Sequence, residues 1–404
     1  MPHILVFVVP YVVIFLYTTC SLIMPLKLRL AVKLLLAVVI LFFEMKYVIY
    51  HFFGGALTPR LPMRFIVVME FMGAAIMLAF GMALIKDVVL LIGVTLRKFA
   101  MHDLVFPHQL INYGIIIVAL ALALNGMHEV FRVPQVVSHE LELPGLERKL
   151  DGLRVVQLTD LHVGPLVGAE FTQGVVERTN ELRPDLVVIT GDFVDGRAEE
   201  IVSELAALRE LQATHGVYAV TGNHEYYSGA EEWIEALSGL GMKFLENEHV
   251  VIPNANLTLA GVPDGHAGRF GFAPPDVERA LADAPPGPRI LLAHQPAQVA
   301  GFEDRAELIL TGHTHGGTMF FLQPLIKLAN YGYVSGMYGT PEHRLYVSNG
   351  TGIWAGFPCR VLVPAEITLF TLRSPAAKQD GTGPDGTGQD AAAAGGGASA
   401  ADAP

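Results

Sequence analysis

The sequence predicts a chain in two parts, an N-terminal set of transmembrane helices and a C-terminal α/β domain whose sheets are covered by helices. Three observations predict it. Hydrophobic residues make up 52% of the 404, charged residues only 16%, and the mean hydropathy is +0.43, too apolar for a domain wholly in water. Charge divides the chain: residues 1–134 hold ten Lys and Arg against five Asp and Glu, which leaves 17 against 34 for the remainder. From residue 151 onward, short β-rich apolar runs alternate with stretches of helical spacing, the pattern of sheets under helices.

The membrane region is expected over residues 1–125 in about four helices. Apolar runs cover His3 to Met24, Leu30 to Phe53, Met63 to Leu96 and Gln109 to Asn125, and each is long enough to span a bilayer. The first lacks the basic start and small-residue cleavage site of a signal peptide. The third carries Lys86 and Asp87, so it reads either as one tilted helix or as two segments broken there. Counted as four crossings, Lys27, Arg29, Lys33, Lys86, Arg97 and Lys98 face Lys46, Arg60, Arg64 and Arg132 across the membrane. The positive-inside rule then puts the C-terminal domain on the non-cytoplasmic side of a cell membrane, and a break in the third run would reverse it. Glu44, Lys46 and Glu70 lie in or near apolar runs, where charges paired inside a small bundle are expected rather than a transport path.

Residues 126–150, with Pro134, Pro144 and mixed charge, read as a connector, and 374–404 as a disordered Ala- and Gly-rich tail. Between them, 151–373 is long enough for one core. Strands are expected at Arg154–Leu158, Asp185–Thr190, Gly216–Thr221, Leu257–Gly261, Arg289–Ala293, Glu307–Thr311, Leu345–Ser348 and Glu366–Leu372. Helical spacing fills Phe171–Leu182, Ala198–Gln212 and Ala230–Gly239.

Polar residues fall where strands stop, which is where α/β sheets build their sites. Five strand ends in succession carry Asp160-Leu161-His162, Gly191-Asp192-Phe193-Val194-Asp195, Gly222-Asn223-His224-Glu225, Ala293-His294-Gln295-Pro296 and Gly312-His313-Thr314-His315-Gly316-Gly317. Taken singly, each has a bland reading as a turn, a cap or a packed histidine. Together they offer mixed oxygen and nitrogen donors without thiolate, a set that suits Mn, Fe or Zn better than Mg or Ca. Asp192 is the best bridge between two cations, because a carboxylate has two oxygens to share. The only cysteines, Cys20 and Cys359, provide neither a disulfide framework nor a thiolate site. An acidic C-terminal half lacks the basic surface that nucleic acid requires, so no nucleic-acid partner is expected.

The ordered set D-L-H, G-D-F-V-D, G-N-H-E, A-H-Q-P and G-H-T-H-G-G resembles the calcineurin-like metallophosphoesterase superfamily. With Val347-Ser348-Asn349-Gly350-Thr351-Gly352, Pro364-Ala365-Glu366-Ile367 and the apolar N-terminus, the chain is similar to a bacterial membrane-associated branch of it. The resemblance implies two mixed β-sheets in a sandwich flanked by helices, with two metal ions, Mn or alternatively Fe or Zn, at the strand ends. It implies that one metal takes Asp160, His162, Asp192 and His315, and the other Asp192, Asn223, His294 and His313. His224 is implied to serve the leaving-group side, with Glu225 standing where the family more often has an Asp that orients that histidine. Asp195 and Asp264 are expected to support rather than ligate, and His215, His249, His266 and His343 to be surface or packing residues.

The implied activity is hydrolysis of a phosphodiester, phosphomonoester or pyrophosphate by metal-activated water, on a phosphate ester substrate at the lipid bilayer. A lipid-linked precursor of the UDP-diacylglucosamine type is the sharpest version. The alternative is a metal-binding membrane sensor or scaffold that keeps the fold without turnover. The substrate's identity and the oligomeric state are left open.

Overall fold

The computed structural model describes residues 2–55, 59–100, 107–253 and 255–375. Among the described residues, its N-terminal part is made of helices joined by short turns. Helix α1 (Pro2–Thr18) continues as a π-helical turn over Thr19–Ile23, followed by α2 (Leu30–Glu44), α3 (Lys46–Phe52), α4 (Met63–Ala100) and α5 (His108–Phe131). Among the described residues, Met63–Leu96 and His108–Phe131 are each long and apolar enough to cross a membrane. The second apolar run is not one helix, because it breaks at Met45 between α2 and α3. The third run is not two, because α4 passes through Lys86 and Asp87 unbroken.

Their charges are met by partners. Lys86 lies 3.2 Å from the Asp87 carboxylate and donates to the Ser21 carbonyl at 2.8 Å, while Tyr17 and Ser21 hydroxyls donate to Asp87 at 2.8 and 2.5 Å. Glu70, fully buried, accepts from Lys46 and, at 2.9 Å, from the Tyr50 hydroxyl. An unpaired charge in apolar surroundings is costly, so each pair fixes how its helices pack.

The C-terminal part holds two six-stranded sheets. The first has the order β1 (Gln135–Glu142), β12 (Glu366–Arg373), β2 (Leu153–Leu158), β3 (Leu186–Thr190), β4 (Val217–Val220), β5 (Met242–Phe244). The second runs β10 (Gly336–Gly339), β11 (Arg344–Val347), β9 (Leu308–Thr311), β8 (Arg289–Leu292), β7 (Leu257–Gly261), β6 (Glu248–Ile252). Both are mixed: β2, β3, β4 and β5 are parallel, as are β7, β8, β9 and β11, while β12 runs antiparallel to β2, and β6 and β10 antiparallel to their neighbours.

Strand alternation divides the core into layers. Val155, Val188 and Phe370 of the first sheet meet Leu259, Leu292 and Leu310 of the second, forming the sandwich interior. Their sequence neighbours Val156, Val187 and Leu369 point the other way, onto α6 (Ala169–Glu181), α7 (Ala198–Ile201) and α9 (Ala230–Gly239), while α8 (Asn223–Ser228) packs its Tyr226 in a separate small cluster. Ala260, Leu291 and Ile309 face outward from the second sheet onto α10 (Val277–Ala280) and nearby loops; α11 (Gln323–Ala329) follows β9. The helical stretch expected at Ala198–Gln212 is α7 followed by a 3-10 helix over Val202–Glu210.

The segment read as a connector carries structure. Helix α5 runs to Phe131, and β1 pairs with β12 along its whole length. Its alternating exposure at the sheet edge explains why the sequence there shows mixed charge rather than a continuous apolar run. At the other end Ser374 is buried, its N–H donating to Asp151 at 2.9 Å and its hydroxyl to the Leu146 carbonyl at 2.7 Å. The tail expected beyond it lies, from residue 376, outside the described residues.

The domain is seated directly on the helices. Met319, Cys359 and Val361 pack among Leu22, Ala75, Ala79 and Ala123, and the Tyr47 hydroxyl donates to the Gly356 carbonyl. Gly126 makes the closest approach, because a Cβ there would collide with Cys359 Sγ and lie 3.0 Å from the Arg360 carbonyl. Gly114, on the same helix, has open space around it. Gly126→Ala is therefore expected to lower stability by about 1–3 kcal/mol through overpacking, whereas Gly114→Ala should be neutral or stabilising by up to about 1 kcal/mol. Thermal unfolding midpoints of the two variants check this, and equal midpoints would refute the close seating.

Candidate metal centre

The C-terminal ends of β2, β3, β4, β8 and β9 converge between the two sheets, and all seven expected ligands are there with His224. Asp160 and His162 follow β2, Asp192 follows β3, Asn223 and His224 open α8 after β4, His294 follows β8, and His313 and His315 follow β9. Asp160, His162, Asp192, His313 and His315 all have positive φ, between 47° and 70°. Non-glycine residues take this conformation at a cost, and its concentration in one place marks a backbone bent to aim side chains inward. Close approach enforces glycine beside it: a Cβ on Gly312 would strike Thr159 Oγ1 and Asp160 Oδ2.

Two groups of donor atoms result. In the first, His162 Nε2 lies 3.2 Å from His315 Nε2 and 3.9 Å from Asp160 Oδ1, and His315 Nε2 is 3.5 Å from the same Asp160 oxygen. In the second, His294 Nε2 lies 3.1 Å from Asp192 Oδ2, 3.2 Å from Asn223 Oδ1 and 3.2 Å from His313 Nδ1. Asp192 Oδ2 is also 3.6 Å from His162 Nε2, so this carboxylate stands between the groups. Asp160, His162 and His315 form one cluster able to hold a metal ion, Asp192, His294 and His313 another, and His162, Asp192 and His224 a third that shares a member with each.

The hydrogen-bond partners select which nitrogens are free. His294 Nδ1 donates to the Thr190 carbonyl at 2.8 Å, and His162 Nδ1 donates to Asp195 at 2.9 Å. Each bond fixes a tautomer whose lone pair is on Nε2, facing the cluster. Burial and the nearby His294 depress His313 to about 3, and burial with His162 and Arg360 holds His315 well below the usual histidine range. Neutral imidazoles are the ligand form. Burial opposes ionisation of Asp192, but His294 and His224 outweigh it and hold that carboxyl well below its ordinary value. Burial disfavours a charged His294, but Asp192 and Asp160 outweigh it and hold that ring well above the usual histidine range, so a cation at the second group would take the place of its proton. Oxygen and nitrogen donors crowded in this way fit a binuclear cation site.

Three supporting residues were legible only in part. Asp195 does not join the donor clusters. Its Oδ1 accepts from both His162 Nδ1 and, at 2.6 Å, His224 Nδ1, while Oδ2 accepts from the Ala355 N–H at 3.0 Å. Glu225 does not orient His224, contrary to what the family resemblance implies for its position. It turns back to accept from the N–H groups of Gly222, Asp192 and Phe193 at 2.7, 2.9 and 2.8 Å, clamping the turns that carry Asp192 and Asn223. Arg360 was missed: fully buried under His315, it donates to the carbonyls of Asn349 at 2.7 Å and Gly352 at 2.6 Å. Its signal was a single charge within the apolar run Ile353 to Val363, since a buried Arg must find acceptors.

Of the histidines expected to be bland, His266 is the one near the centre. Its Nδ1 lies 2.8 Å from Asp264, and its ring is 5.7 Å from that of Tyr227, which in turn flanks His224 at 5.5 Å. His249 and His343 contact the carbonyls of Ala280 and Ala306, away from the donor clusters. Because Asp195 alone positions both His162 and His224, Asp195→Asn is expected to weaken metal binding or turnover about 10- to 100-fold, the usual scale for such supporting groups. Metal titration of the variant followed by rate measurement checks it, and unchanged values for both would refute the shared role.

The geometry can be set beside known proteins. The family model described as calcineurin-like phosphoesterase matches residues 153–317. An uncharacterized metallophosphoesterase of Helicobacter pylori is 41% identical over 236 residues, 57% of this chain and 63% of that protein. A transmembrane protein with metallophosphoesterase domain from Danio rerio is 39% identical over 58% of this chain and 56% of its own length, so the chain spans less than two thirds of either relative. An uncharacterized metallophosphoesterase of Aquifex aeolicus is 31% identical over 55% of this chain and 85% of that protein. Among solved structures, a 5'-nucleotidase precursor from Thermus thermophilus matches 50% of this chain and 49% of its own, at 17% identity and a TM-score of 0.35. With its ligand motifs in order along 153–317 and most of a relative's length matched, the chain belongs to the calcineurin-like metallophosphoesterase family.

Proposed function

We propose that this protein is a membrane-anchored hydrolase of phosphate esters or anhydrides that works with two bound cations. The observation that carries the reading is the convergence of seven O and N donors with His224, which Asp195 orients. Asp160, His162, Asp192 and His315 would hold one cation, and Asp192, Asn223, His294 and His313 the other. The donor set favours Mn, with Fe or Zn as alternatives. Such a pair supplies Lewis-acid stabilisation of phosphoryl oxygens and a water of lowered pKa.

The chain's own residues do the rest. Asn223 contributes a neutral oxygen, which limits negative charge where an anion must enter. Asp195 takes the His224 Nδ1 proton in a hydrogen bond, leaving Nε2–H as the donor for the leaving-group oxygen. Burial disfavours the charged ring, but Asp192 and Asp195 outweigh it and push His224 up to about 9, so it carries its proton at neutral pH. The sign is that of a raised histidine: the acid is present below its pKa and lost as pH rises through it. The complete ligand set and the oriented His224 weigh against the scaffold reading.

Membrane attachment by four antiparallel segments is supported by how the helix ends pair. Gln109 is tied to the Pro25 carbonyl and the Lys27 N–H at one end, while Arg60 pairs with Glu200 of the domain at the other. With α4 unbroken, the basic residues favour a non-cytoplasmic domain. There a lipid-linked phosphoester or pyrophosphate would be the substrate class.

The full chain, loaded with Mn, should hydrolyse nitrophenyl phosphate or bis-nitrophenyl phosphate and lose the activity to EDTA; no turnover with either at full metal occupancy would sink the proposal. Asp192→Asn should lose the metal pair and nearly all of the rate. His224→Ala should keep both metals while the rate falls about 100-fold, and the alkaline limb of the pH profile, at or below about 9 in the parent, should disappear. Loss of metal from His224→Ala would instead make it a ligand. Sidedness is checked by protease digestion of intact cells, where a protected domain would place it in the cytoplasm instead.

A further inference from the structure

The stretch directly after the metal-facing histidines is apolar and exposed. Thr318 leads into Phe320, Phe321, Leu325, Leu328 and Tyr331, which are 52%, 43%, 63%, 81% and 77% exposed, and Leu362 beside them is 79% exposed. Elsewhere among the described residues after β1, the exposed large apolar residues are Val202 and Val251, on separate elements, and the pair Tyr227 and Phe270, whose rings lie 6.0 Å apart. A contiguous apolar patch of this kind on a domain surface needs an occupant.

Its neighbours identify one. The Phe320 N–H donates to the Val361 carbonyl at 3.2 Å, and Met319 pairs with Val361 as a parallel bridge, so the patch is joined to the 357–362 loop. That loop and Leu322 pack among Ala75, Ala79 and Ala123 of α4 and α5. Ala123 lies eight residues before the end of α5 at Phe131, about 12 Å along the helix axis. The surface carrying Phe320 to Tyr331 is thus joined to the apolar helices about two turns inside the end of α5. Lys327 is exposed in the middle of the patch with Tyr331 at its margin, and these residue types favour the headgroup boundary with their apolar parts inward.

We propose that residues 320–331, with Leu362, form an interfacial element that enters the bilayer's headgroup and upper acyl region, by the roughly 5–10 Å usual for such elements. It holds the His313–His315 turn at the membrane surface. This rests on the membrane attachment proposed above. It adds that the site opens at the lipid boundary, where a phosphoester on an embedded lipid can reach it without leaving the bilayer.

The test uses the full chain reconstituted in phosphatidylcholine vesicles, with Leu328→Trp and, separately, Phe321→Trp as reporters. Val251→Trp is the control, because β6 is the edge of the second sheet opposite β10. Retained nitrophenyl phosphate hydrolysis verifies each fold. The added fluorescence of Leu328→Trp and Phe321→Trp should be quenched by lipids brominated near the headgroup end of the chains and shielded at least 3-fold from iodide relative to Val251→Trp. Iodide access equal to the control, in a chain that resists carbonate extraction, overturns the interfacial element alone. Release of the whole chain by carbonate would overturn the membrane attachment and this element with it.

Discussion

The structure depends on holding many lone pairs in one dry place. Asp160, His162, Asp192, Asn223, His294, His313 and His315 present O and N atoms to one another at 3.1 to 3.9 Å. Polar atoms packed this closely give up the water that would solvate them. Such an arrangement persists only because the surrounding framework holds it in place. Two stacks of parallel strands supply that stiffness, each delivering its ligand on a turn with no freedom to swing away. The left-handed backbone at five of these positions is the cost of bringing short turns close enough to converge.

The second ring of contacts fixes how the ligands face. Asp195 binds His162 and His224 through a single oxygen, so the orientation of a cation ligand and that of the proton donor cannot change independently. Glu225 secures the backbone on both sides of Asp192. Arg360 spans Asn349, Gly352 and the His315 carbonyl, and its positive charge discourages protonation of His315. Each of these three acts through another residue, which is why each can be buried without touching a substrate.

What was legible in the sequence follows from how each element is buried. β2, β3, β7, β8 and β9 are covered on both faces, so they appear as continuous apolar runs, and the ligands were visible because each sits where such a run stops. β1, β6 and β10 lie at sheet edges with exposed or half-buried positions, and β5 has only three residues, so none offered a comparable run. Glu225 stands where the resembling family more often has an Asp, and its longer side chain takes a different course. In the first turn of a helix, neighbouring side chains diverge, and a Glu at the third position reaches back to the N-cap N–H instead. The break at Met45 had no Pro or Gly to announce it.

The seating of the domain on its helices connects these features. The turn that bears His313 and His315 runs straight into Met319, which packs in the helix bundle, and Arg360 follows Cys359, which packs in the same cluster. One short segment therefore touches the donor cluster at one end and the apolar helices at the other. A domain joined to its helices by a flexible linker alone would not thread its ligand-bearing turn through their packing cluster. Here the connection is rigid, because Gly126 allows α5 to contact the Cys359–Arg360 backbone directly. The position of the donor cluster relative to the helices is then set by packing and not by linker length, so a change in how α4 and α5 pack reaches the His313–His315 turn through Met319 and Cys359.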